Sequence, residues 1–98
     1  MKVEFTVNGL EFSKVLSKKY SWKEAINLGK GKWRLPKKWE LVMLYEEVPE
    51  SHKDIWLWSA SPYDSNSNYA WRINFSHGFD GGFYKTDSYA VRLVREAN

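Results

Sequence analysis

The chain has 98 residues with six Trp, six Tyr, five Phe, no Cys and a net charge of +3. A chain of this length makes one domain and buries about 60–65% of its unfolded surface, so heavy use of aromatic rings is one way to widen a thin margin. The missing cysteine excludes disulfides, thiolate metal sites and cysteine nucleophiles, and no window holds the roughly 18 apolar residues of a membrane helix.

The charge is unevenly spread. Residues 14–39 carry nine Lys or Arg against Glu24 alone, whereas residues 40–55 carry Glu40, Glu46, Glu47, Glu50 and Asp54 against Lys53 alone. A basic half followed by an acidic belt suits an acidic partner, and the plainer reading is an ordinary solvated surface. Met1-Lys2 leads into alternating residues and not into an apolar run, so the expected location is the cytoplasm, with no membrane partner.

Taken in order, Val3, Phe5 and Val7 alternate with Glu4 and Thr6, Asn8-Gly9 supplies the two positive-φ positions of a type I′ turn, and Leu10 and Phe12 resume the alternation. Residues 2–16 therefore read as a β-hairpin. Ser21 and Glu24 form a capping-box pair that starts a short helix with Trp22, Ala25 and Ile26 on one face, and Gly29 is placed to stop it. Pro36 suits a helix's first turn, and the spacing predicts a second helix over 37–47, ended by Pro49. Its expected buried stripe runs through Trp39, Val42 and Met43, thickened by Leu41, Leu44 and Tyr45. Residues 55–61 read as a strand, Pro62 to Asn68 as an exposed loop, residues 69–75 as an alternating strand, and Gly78 to Gly82 as a turn. Residues 83–85 and 89–95 give the last strands.

Trp33-Arg34-Leu35-Pro36 with Glu40-Leu41, then Trp58-Ser59-Ala60-Ser61, then residues 69–75, then residues 90–95, occur in an order and spacing that resemble the Lcl C-terminal domain family. That family is named from the C-terminal domain of a collagen-like bacterial adhesin, and it is a domain of unknown function. The resemblance implies a C-type-lectin-like α+β fold: two helices packed on twisted antiparallel strands, with the N- and C-terminal strands close together. Trp33, Arg34, Pro36, Glu40, Trp58, Trp71 and Arg92, which lie in the matching segments, are expected to be structural, with Trp33 largely buried in the core. In two places the chain departs from the family pattern. Lys37 stands where Thr or Ser commonly caps the second helix, and Leu93 stands where a Cys is frequent.

Arg34 and Glu40, six residues apart across a helix start, are expected to form a structural ion pair. His52 and His77 lack the carboxylate spacing of a metal site and read as loop residues, and no Ser has a nucleophile motif around it. No cofactor, metal or catalytic residue is expected. Tyr63, Tyr69, Trp71, Phe79, Phe83 and Tyr84 are candidates for an aromatic platform near the loops, with Tyr63, Asn66, Asn68 and Phe79 exposed for contact. Lys30, Lys32, Lys37 and Lys38 form a second candidate, a basic corner at the start of the second helix. The expectation is a non-enzymatic binding module for a protein partner with an acidic surface, such as an accessory or inhibitory protein carried by a phage or other mobile element. A glycan or glycosaminoglycan is the alternative partner, and nucleic acid bound through residues 14–39 is the third.

Overall fold

The computed structural model describes residues 1–78 and 80–97. It is an α+β arrangement of two helices and two three-stranded antiparallel sheets. Strands β1 (Val3–Val7) and β2 (Leu10–Ser13) form the hairpin, turning through Asn8 at φ 48° and Gly9 at φ 80° as the type I′ reading requires. Strand β6 (Val94–Glu96) pairs with β2, so the first hairpin and the last strand share a sheet of order β1-β2-β6. The second sheet has the order β3-β4-β5, from β3 (Trp56–Pro62), β4 (Tyr69–Asn74) and β5 (Asp80–Tyr84).

Helix α1 (Trp22–Ile26) starts on the expected capping box. The Ser21 Oγ accepts from the Glu24 N–H at 3.4 Å and Glu24 Oε1 accepts from the Ser21 N–H at 2.9 Å. It ends before Gly29, which serves a different purpose. A Cβ there would lie 2.5 Å from the Trp33 carbonyl oxygen, so the glycine admits close passage of the next segment. Ala25 is buried, but Ile26, expected on the inner face, is 39% exposed.

Helix α2 (Lys38–Glu47) is rotated relative to the expected stripe. Its buried residues are Glu40, Leu41 and Leu44, and Trp39 stands 59% exposed on the other side. The cause is a carboxylate. Arg34 Nη1 and Nη2 donate to Glu40 Oε1 and Oε2, both at 2.7 Å, and Glu40 Oε1 also accepts from the Lys37 N–H at 2.8 Å. The bidentate pair takes Glu40 inward, which turns Trp39 out.

Two further expectations are corrected. Gly81 and Gly82 belong to β5 and not to a turn, paired with Arg72 and Trp71 of β4, and the Tyr63 ring occupies the space that a side chain on Gly82 would need. Residues 89–95 are also not one strand. Tyr89 and Ala90 make single bridges to Tyr20 and Leu57, and buried Val91, Arg92 and Leu93 carry the chain across to the other sheet before β6 begins. The Trp58 N–H donates to the Ala90 carbonyl at 3.1 Å and the Ser13 N–H to the Leu93 carbonyl at 2.8 Å, so this segment stitches the two sheets together.

The core has two parts. Leu10, Phe12, Leu41, Leu44, Leu57, Ile73 and Phe75 form one cluster that joins α2 to strands of both sheets, and Ala25 of α1 joins Leu35, Trp58, Ala70, Val91 and Leu93 in the other. Trp58 is fully buried with its Nε1 donating to the Tyr20 carbonyl at 2.8 Å, as a core tryptophan should. Arg92 is buried too, and its Nη1 donates to Glu4 Oε1 at 2.5 Å and to the Ser13 carbonyl at 2.8 Å. Trp33, expected in the core, is only partly buried, with the Arg95 guanidinium 4.4 Å from its ring centroid.

Removing Arg34 strands a carboxylate that is 2% exposed. Arg34→Ala should cost roughly 3 kcal/mol, the low end for breaking a buried pair because the arginine is partly open to water. Arg34→Lys should recover little of this, since an ammonium cannot make the two parallel bonds. Urea denaturation of both variants at neutral pH measures the effect.

Burial alone would raise the Glu40 carboxyl, but the Arg34 bonds and the Lys37 N–H outweigh it and hold the group below its ordinary value of 4.5. The stability contributed by ionised Glu40 is therefore complete above about pH 4.5 and is lost as pH falls through the lowered folded value. Glu40→Gln should be less stable than the parent at pH 7 and should lose less further stability between pH 5 and pH 3, roughly the range where carboxylates protonate.

Candidate binding surfaces

The basic corner does not assemble as one anion pocket. The Lys37 N–H is taken by Glu40, and the Lys38 N–H donates to Ser61 Oγ of β3 at 3.0 Å. The serine hydroxyl that position 37 lacks is thus supplied from another strand, and these helix-start donors are satisfied within the chain. Lys38 Nζ is 3.0 Å from Asp80 Oδ2 and 3.7 Å from the centroid of the Trp71 ring, so its charge is also engaged. Lys32 lines a cleft of about 370 Å³ with Glu11, Arg95 and Glu96, where Arg95 Nε donates to Glu11 at 2.7 Å. Lys30 and Lys37 are exposed.

The loop end is better organised than its polar sequence suggested. Between β3 and β4 the Tyr63 N–H donates to the Tyr69 carbonyl, the Asn66 N–H to the Tyr63 carbonyl and the Tyr69 N–H to the Asn66 carbonyl, each at 3.1–3.2 Å. The Asn68 N–H donates to Asn66 Oδ1 at 2.9 Å, and from beyond β5 Lys85 Nζ donates to the Ser67 carbonyl at 2.7 Å. Tyr63, expected to be exposed, is partly buried because its ring lies on Gly82 and 4.7 Å from Trp71. Tyr69 stands 5.9 Å from Tyr63 and edge-on to Tyr84 at 4.7 Å. Interaction with the Tyr84 hydroxyl pushes the Tyr69 phenol above its ordinary value. Tyr84 is 50% exposed, and the Asn66 and Asn68 residues are exposed beside it.

The pleat divides the expected platform. Phe83, next to Tyr84 on β5, faces the other side of the sheet, where the Arg72 guanidinium lies 3.8 Å from the Trp56 ring, 4.1 Å from Phe83 and 4.7 Å from Tyr89. Phe79 lies outside the described residues. The period-two alternation of residues 69–75 was the signal that Arg72 and Trp71 take opposite faces, but only the fold shows that three rings close on the cation.

His52 stacks on Tyr45 with ring centroids 4.0 Å apart and Nε2 2.8 Å from the Tyr45 carbonyl. The His77 N–H donates to Asn74 Oδ1 at 3.0 Å. Among the described residues no three His, Asp or Glu side chains gather where they could hold a metal ion.

Residues 6–95 match the Lcl C-terminal domain. The chain belongs to that family. A comparison with curated proteins found no match. The Lcl segments identified in the sequence meet in space here. Arg34 is bound to Glu40, and the Pro36 carbonyl accepts from the Ala60 N–H at 2.7 Å. Ser59 Oγ donates to the Trp71 carbonyl at 2.8 Å. The second departure from the Lcl pattern, Leu93, is accommodated as a buried core residue. Among the described residues of this Lcl domain no helix is long and apolar enough to cross a membrane.

Chelation should leave this Lcl domain unchanged. Melting followed by circular dichroism with and without EDTA should agree within about a degree; a fall of several degrees would reveal a bound ion.

Proposed function

We propose that this domain is a small non-enzymatic binding module and that it recognises a protein partner through the loop end of the β3-β4-β5 sheet. The observation that carries the reading is the Tyr63–Tyr69–Tyr84 cluster seated on Gly82 and Trp71, with Asn66 and Asn68 exposed alongside. Tyrosines offer large, rigid contact area at little entropic cost, and Asn and Ser adapt their hydrogen bonds, which is the composition that binding loops favour. Six bonds within and onto the loop, among them the Lys85 N–H to the Asn68 carbonyl at 2.9 Å, hold it in shape before any ligand arrives, and such preorganisation lowers the cost of association. A C-type-lectin-like arrangement, in which ligands meet the loop end, agrees with this placement. The cysteine-free composition supports a cytoplasmic setting, where an accessory or inhibitory protein would meet its target.

A glycan is the second reading, because Tyr69 and Tyr84 present ring edges and faces next to two amide side chains. Direct nucleic-acid binding through residues 14–39 is disfavoured, since Arg34 is paired with Glu40 and Lys38 with Asp80. The deciding experiment is capture from host lysate with mass spectrometry, followed by calorimetry of the identified partner against Tyr84→Ala and Asn68→Ala. The double variant should bind at least tenfold more weakly, about 1.4 kcal/mol, with melting within a few degrees of the parent. Full affinity in that variant would remove the loop end as the site. Binding confined to one glycan on an array, abolished by Tyr84→Ala, would favour the second reading.

A further inference from the structure

Three of the chain's four arginines each hold a carboxylate: Arg34 binds Glu40, Arg92 binds Glu4 and Arg95 binds Glu11. Arg72 is the fourth, and it forms no salt bridge among the described residues. It is half-buried on β4, with its guanidinium carbon 3.8 Å from the centroid of the Trp56 ring, 4.1 Å from that of Phe83 and 4.7 Å from that of Tyr89. Ring faces offset part of the solvation that such a cation loses, but they do not occupy its N–H donors. Of its nitrogens only Nε is buried without a hydrogen-bond partner, so Nη1 and Nη2 are open to water or to the Tyr89 hydroxyl. That hydroxyl stays neutral, because burial pushes the phenol up. No acid of the described residues pairs with the charge.

Two of the same rings, Trp56 and Tyr89, line a cleft of about 170 Å³, and Ile55 and Ala90 complete its apolar part. Lys19 and Asp54 line it too, both exposed and neither in a salt bridge. Their charges cancel, which leaves Arg72, in contact with two of the walls, to set the sign of the cleft.

We propose that this cleft is a binding site for a small organic acid, whose carboxylate takes Nη1 and Nη2 of Arg72 end-on while its apolar body lies against Trp56 and Tyr89. A carboxylate matches the fork of a guanidinium, as Glu40 does at Arg34 in this chain. Three rings already hold the Arg72 group in place, so association need not order it. The apolar walls favour a ligand with a hydrocarbon portion over a bare anion. Asp54 in the cleft and Asp87, close enough to act on the Tyr89 phenol, disfavour a doubly charged phosphate. The site is on the face of the β3-β4-β5 sheet opposite the tyrosine cluster, so it stands or falls independently of the loop-end surface.

Titration of the whole chain with benzoate at constant ionic strength, followed by proton–nitrogen correlation NMR, tests the proposal. The Trp56 Nε1–H and Arg72 Nε–H signals should shift together and saturate at about 1–10 mM, the range open to a ligand of about nine non-hydrogen atoms. Benzamide, which has the same shape without the charge, and inorganic phosphate should each bind at least roughly tenfold more weakly. Arg72→Met should abolish the response at Trp56 and melt within a few degrees of the parent, because it removes an unpaired cation and keeps an apolar side chain among the rings. Arg72→Lys keeps the charge without the fork and should bind benzoate at least roughly fivefold more weakly; it decides the matter should Arg72→Met not fold. Signals that stay still up to about 50 mM benzoate would overturn the site. So would benzamide or phosphate binding as tightly as benzoate, or full benzoate affinity in either Arg72 variant.

Discussion

The bidentate bond between Arg34 and Glu40 fixes more of this structure than any apolar contact. It joins the segment that bridges to Val94 of the first sheet, where the Arg34 N–H donates to the Val94 carbonyl at 2.9 Å, to the first turn of α2. A carboxylate with 2% exposure is tolerable only because both of its oxygens are bonded and one is bonded twice. Once Glu40 is committed inward, the helix has no rotational freedom left. Leu41 and Leu44 follow it into the core, and Trp39 must face water despite its size. A hydrophobic side chain is thereby held outside by an ionic one held inside.

The features legible in the sequence were those settled within a few residues. Asn8-Gly9 specifies its own turn, and Ser21 with Glu24 specifies its own helix start, because each interaction closes over two or three positions. The Arg34–Glu40 pair was legible for a similar reason, since six residues across a helix start leave few other geometries. The family resemblance supplied the pairing of the first and last strands, which no local pattern could have given.

What was not legible depends on partners distant in the chain. Apolar spacing placed Trp39 inside α2, and the spacing was real, but an apolar stripe can be outvoted by one buried charge whose partner lies on another segment. Gly82 read as a turn residue because glycine usually marks one; here it is small so that Tyr63, on the loop between β3 and β4, can lie across the strand. The basic run looked like one surface because charges were counted along the chain. In space, Lys38 answers to Asp80 and Lys32 faces Glu11 and Glu96, acids from three other strands. Net charge over a window says little about local field when the compensating residues arrive from elsewhere.

Lys38 also explains how a structural ion pair and a surface of tyrosines come to be connected. Its backbone N–H is held by Ser61, and its ammonium lies between Asp80 and the face of Trp71. A cation over an indole is directional, so it fixes the ring as well as the charge. Tyr63 leans on that indole, Tyr69 on Tyr63, and Tyr84 on Tyr69. The position of Lys38 is itself set by the rotation of α2, which the Arg34–Glu40 bond determines. The run from arginine to carboxylate, to helix, to lysine, to tryptophan, to tyrosines is continuous contact. The aromatic surface at the loop end is therefore braced from the helix entry as well as from its own loop. The loop's own hydrogen bonds need only close its tip.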